Sequence, residues 1–73
     1  MDEAYYVIRV KSYLGAGTVS AFGNFSVAYT TNGDTILTGF IPDQAALHGV
    51  LMKIRDLGLT LVEVRSLTRD PNA

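Results

Sequence analysis

Seventy-three residues with seven acidic and six basic side chains make one small domain of net charge −1 and pI 5.6. That balance excludes the basic stripe with which nucleic-acid binders neutralise phosphates, and no apolar run reaches the ~18 residues a membrane-spanning helix needs. The absence of cysteine removes disulfides and thiolate metal sites together.

Residues 4–14 alternate, with Tyr6, Ile8 and Val10 against Tyr5, Val7, Arg9, Lys11 and Tyr13, and predict a first strand. Gly15-Ala16-Gly17 breaks it, and residues 18–23 read as a loop or a single helical turn. Residues 24–30 predict a second strand with Phe25, Val27 and Tyr29 on one face. Thr31-Asn32-Gly33-Asp34 follows, and Asn-Gly favours the positive φ angles of a type I′ hairpin turn. Residues 35–41 form the returning strand.

Pro42 and Asp43 stop that strand and open a helix. The Asp43 carboxylate is placed to accept from the free N–H of Ala46, and its charge suits the positive helix end. Leu47, Val50, Leu51, Ile54 and Leu57 recur at helical spacing and define the buried stripe. Gly58 ends the helix in the left-handed conformation. Residues 60–67 are a fourth strand, and residues 68–73 a polar tail broken at Pro71.

The expected domain is therefore single, 1–73 with its core in about 4–67. Its class is α+β, in the order β-β-β-α-β, with one helix packed on one face of a mostly antiparallel sheet. A meander of the first three strands and a right-handed crossover to the fourth predict the order 3-2-1-4. The fourth strand is then parallel to the first and third. With the first and fourth as neighbours, Arg9 can pair with Glu63.

The strings Asp43-Gln44-Ala45-Ala46-Leu47-His48-Gly49 and Ile54-Arg55-Asp56-Leu57-Gly58-Leu59 resemble those of a group of small stand-alone bacterial proteins of uncharacterised function. The likeness continues through residues 33–39 and through Tyr6-Val7-Ile8-Arg9-Val10-Lys11, so it covers most of the chain. Members of that group carry tryptophan after the first strand, where this chain has Phe22 and Phe25. The resemblance implies no catalytic residue.

His48 is the sole histidine and the one ordinary candidate for a general base. Its helical neighbours Gln44, Leu51, Met52 and Arg55 include no carboxylate to orient the ring, so no catalytic residue is assigned. A hydrolase-like enzyme using His48 ranks behind association and ligand binding among the functional classes. One histidine with scattered carboxylates makes no metal site, and no cofactor is expected. Gly15-Ala16-Gly17 lacks the third glycine of a phosphate-binding fingerprint, since Ser20 stands there.

Composition points elsewhere. A chain this short buries only about 60% of its unfolded surface, yet 48% of its residues are hydrophobic. Small folds without disulfides use a metal or a partner chain as their staple. A homo-oligomer, most simply a dimer, or an accessory module for another protein is the expected function. Two surfaces offer themselves. One is the sheet face turned from the helix, with Tyr5, Val7 and Tyr13, joined by Leu61 and by alternate residues of 35–41. The other is the outer face of the helix, with Ala45, His48, Gly49 and Met52. The alternative is a module that binds a small amphipathic ligand, with Tyr5, Tyr13, Phe25 and Tyr29 as an aromatic wall and His48 or Arg55 as anchor. The acidic start Met1-Asp2-Glu3 lacks the positive charge of a secretory signal, and a cytoplasmic protein is expected, with neither nucleic acid nor membrane as partner.

Overall fold

A computed structural model describes residues 4–67, so the expected polar tail 68–73 lies outside the described residues. The elements run β1 (Ala4–Val10), α1 (Ala16–Ser20), β2 (Ser26–Tyr29), β3 (Thr35–Ile41), α2 (Gln44–Asp56) and β4 (Leu61–Ser66). The four strands form one antiparallel sheet in the order β2-β3-β1-β4, with α2 across one face. The α+β class is as expected, and two of the expected neighbour pairs, β2–β3 and β1–β4, are present.

The expected order 3-2-1-4 is corrected to 2-3-1-4, and β4 runs antiparallel to β1. The cause lies in residues 11–25. They form no hairpin but a crossover that carries α1 and contributes Leu14, Val19 and Phe22 to the core. A crossover can step over a strand, and this one leaves a central place for β3. That strand is the most buried of the four, with Thr35, Leu37, Gly39 and Ile41 all turned inward. β2, which has no buried residue, takes the outer edge. The element order and strand order together are those of the split β-α-β arrangement found in ferredoxin-like domains, with the first helix cut to five residues.

β1 also ends at Val10, short of the expected residue 14. The buried Thr35 hydroxyl donates to the Ser12 carbonyl (2.6 Å) and accepts from the Leu14 N–H (2.9 Å). The chain is thereby drawn off the ladder and over the β2–β3 end of the sheet.

Ile8, Val10, Leu37 and Ile41 of the sheet meet Val50 and Ile54 of α2 in a single core. Asp43 caps α2 as expected, accepting from the Ala46 N–H at 2.8 Å, and Gly58 has φ 73°. Leu57, assigned to the buried stripe, is instead exposed at the helix end. The hairpin turn also differs from expectation. Only Gly33 takes a positive φ, 89°. The Thr30 carbonyl accepts from the Gly33 N–H, and the Thr30 N–H donates to Asp34 (both 3.0 Å). Three residues close the hairpin, with the glycine absorbing the left-handed step that follows an ordinary turn.

Candidate functional site

The sheet face turned away from α2 carries Tyr5, Val7 and Arg9 from β1, Ile36, Thr38 and Phe40 from β3, and Glu63 and Arg65 from β4, because directly opposed residues share a face. No helix covers it. The face divides into two ends of different character.

The apolar end gathers around Tyr5. Its ring meets Phe40 edge to face, with centroids 5.6 Å apart. Its carbonyl accepts from the Leu67 N–H at 2.7 Å, which places Leu67 on its other side. Tyr5, Phe40 and Leu67 are 57%, 49% and 44% exposed. Val7, Ile36 and Thr38 continue the strip half-buried.

The charged end is closed by ion pairs. Arg9 reaches Asp34 Oδ2 with both Nε and a terminal nitrogen at 2.9 Å. The expected Arg9–Glu63 pair is absent, although the two residues are opposed in register. Glu63 is bound instead by Arg65 Nε at 3.0 Å, two residues along its own strand. The Asp34 carboxylate sits deeper than Glu63, and its Oδ2 faces two guanidinium nitrogens of Arg9 at once, a charge-assisted contact.

β4 forms the margin of this face. It is an edge strand in which no residue is fully buried. Glu63 pairs with Arg9 and Leu61 with Val10, so Val62 bulges out of the ladder. Leu61 is thus opposite helix-facing Val10 and does not join Tyr5 as expected, but both Leu61 and Val62 are exposed.

Tyr13 is likewise absent from the open face. It stacks on Tyr29, with centroids 4.6 Å apart, beside the β2 edge. Ala45, His48, Gly49 and Met52 are all exposed on α2, as expected of its outer face. His48, Leu51, Met52 and Arg55 line a shallow depression of about 360 Å³ there. The His48 ring has no hydrogen bond among the described residues, and Arg55 is taken up by Asp56. No cluster of three His, Asp or Glu able to hold a metal occurs among the described residues, and no helix among them is long and apolar enough to cross a membrane.

The single aromatic wall expected for a ligand does not assemble: Tyr5 faces one side of the sheet, while Tyr13 and Tyr29 form a separate stack. A different cleft of about 400 Å³ opens between α2 and the 22–25 segment, lined by Phe22, Phe25, Pro42, Gly49, Val50 and Lys53. Sequence periodicity gives no sign of it, because it exists through the shortness of α1. Its one trace in the sequence is the pair Phe22 and Phe25 in a segment otherwise rich in small and polar residues.

A ferredoxin-like sheet with one open face and β4 as an exposed edge strand defines the class of molecule. Residues 5–65 match the family described as a domain of unknown function, DUF8691, and the chain belongs to that family. No curated protein and no solved structure gives a significant match.

Proposed function

We propose that the chain is a self-associating module without enzymatic activity, in which two copies meet around a two-fold axis along the β4 margin of the sheet. The observation that carries this reading is the exposure of β4. An edge strand presents unpaired N–H and C=O groups to any matching strand. Here that edge also carries exposed Leu61 and Val62, with Leu67, Tyr5 and Phe40 exposed beside its far end. With no cysteine to staple so small a core, burial against a second copy supplies the missing stabilisation. His48, exposed and unoriented, supports association over catalysis. Light scattering after size exclusion at micromolar concentration tests the reading. It is expected to give twice the 7.9 kDa subunit mass, and a monomer across the accessible concentration range would refute it.

A second reading rests on the cleft beside α2, whose volume lies in the range of small-molecule sites. It suits an amphipathic ligand with an apolar body against Phe22, Phe25 and Val50 and an acidic head near Lys53. Thermal-shift measurement with medium-chain and aromatic carboxylates is expected to show stabilisation that K53A removes. No shift with any of them discards this reading.

A further inference from the structure

We infer that the second copy joins by antiparallel pairing of β4 with β4, in the register that places Val64 on the two-fold axis. The inference deepens the proposed association and rests on it. The strand and its next residue read Leu61-Val62-Glu63-Val64-Arg65-Ser66-Leu67. Turned end for end about Val64, Glu63 meets Arg65, while the Val62 bulge turns Leu61 to the helix side and away from open-face Leu67. In an antiparallel self-pair about that residue, each Glu63 therefore faces the Arg65 of the other copy, and the contact occurs twice. Both side chains lie on the open face, so they meet on the same side of the joined sheet.

The backbone phase agrees. The Leu67 N–H turns inward to Tyr5. In an antiparallel ladder inward and outward groups alternate residue by residue, so Leu67, Arg65 and Glu63 direct their backbone groups to β1 and Val64 directs its own outward. Val64 on the axis can then exchange both of its hydrogen bonds with its own symmetry mate. The Val62 bulge lies before this stretch, and residues 63–67 run regularly.

The charges choose the partner. Edge strands are commonly protected by a charge that repels another copy. Here one acid and one base, spaced evenly about Val64, attract a copy in this register. Parallel pairing in register would set Glu63 against Glu63. The opposite edge, Ser26-Val27-Ala28-Tyr29, carries no charge at all and specifies no register. The Glu63–Arg65 bond within one strand (3.0 Å, both side chains about half exposed) is the arrangement these groups exchange for contacts between strands.

Reversed charges test the register. The E63R chain carries two positive charges about Val64 and the R65E chain two negative ones. Each alone is expected to dimerise about tenfold more weakly than the parent. An equimolar mixture is expected to recover a heterodimer of parental affinity, since both cross-strand contacts are again between opposite charges. Circular dichroism of each variant confirms folding. As a second reporter, V64C introduces the chain's only cysteine. Paired Cα atoms about 5.5 Å apart fall within disulfide range, so mild oxidation is expected to crosslink it. A parent that is dimeric, with a mixture no tighter than the single variants and V64C uncrosslinked, overturns this register and leaves association standing. A monomeric parent overturns both.

Discussion

The ring of Phe25 lies on the backbone of Gly39, so closely that a Cβ at residue 39 would stand 2.4 Å from its Cδ1, 2.8 Å from its Cε1 and 2.9 Å from the Asn24 carbonyl oxygen. Gly39 has no positive φ, so the requirement is for space and not for backbone freedom. The contact seats the residues before β2 over the middle of β3 and forms one wall of the cleft beside α2.

G39A is therefore expected to destabilise the fold by about 2 kcal/mol, a fall in Tm of roughly 10 °C for a domain of this size. Because one of the obstacles is backbone oxygen, shifting the ring relieves only part of the strain. Thermal unfolding of G39A, F25A and the double variant checks the cause. F25A should cost less in the G39A background than in the parent, and strictly additive losses would assign the strain elsewhere.

Gly49 is the opposite case. A Cβ added there meets nothing within 4 Å, and glycine inside a helix costs about 1 kcal/mol relative to alanine. G49A is expected to raise stability by up to about that amount. The same variant also judges the helix surface as an interface. If the mass in solution is unchanged, the small pair Ala45 and Gly49 is not where copies meet. If G49A abolishes a dimer of the parent, the interface belongs on α2 and not on β4.

Much of this architecture is legible in the sequence, and what is not has a common cause. The bounds of β3, the Asp43 cap and the Gly58 terminus follow from local chemistry, and local patterns declare it. The strand order does not, because nothing in residues 11–25 distinguishes a wide loop from a crossover. It becomes clear only when Leu14, Val19 and Phe22 are seen inside the core. The same limit governs the surfaces. Alternation correctly turns Tyr5 and Val7 from the helix, but Tyr13 lies beyond the point where Thr35 pulls the chain from the sheet. Arg9 had two acids within reach, and its choice of Asp34 depends on a hairpin end that brings residue 34 alongside β1.

That choice predicts a measurable asymmetry. The Asp34 side chain is only 11% exposed, and Arg9 is 31% exposed. R9M keeps much of the apolar stem but leaves the carboxylate without its cation, and is expected to cost about 2 kcal/mol. That is below the value for a fully buried pair because water still reaches the guanidinium site. D34N added to R9M should recover part of the loss, since the unpaired charge is then gone. Urea titration of the two variants decides it, and a double variant weaker than R9M would deny that the stranded carboxylate is the cause.

The last prediction concerns alkaline pH. Tyr29 Oη donates to the Leu14 carbonyl at 2.7 Å, and its ring is stacked on Tyr13 at 25° between planes. Loss of surrounding water, followed by the hydrogen bond and charge of the neighbouring Tyr13 phenol, raises the Tyr29 pKa above its ordinary 10.0. In the unfolded chain the group titrates near its usual value of about 10. The folded protein thus holds this proton more tightly, and the stability it confers is fully present below the unfolded pKa. It is lost as pH rises through the higher folded value, when the donor to Leu14 becomes an anion facing a carbonyl. Unfolding midpoints are expected to show this group's contribution falling only above about pH 10, and Y29F should remove that component of the decline. Tyrosinate absorbance of the folded protein should contain a late-titrating component that Y29F removes. If the late phenol persists in Y29F, the shift belongs to another tyrosine.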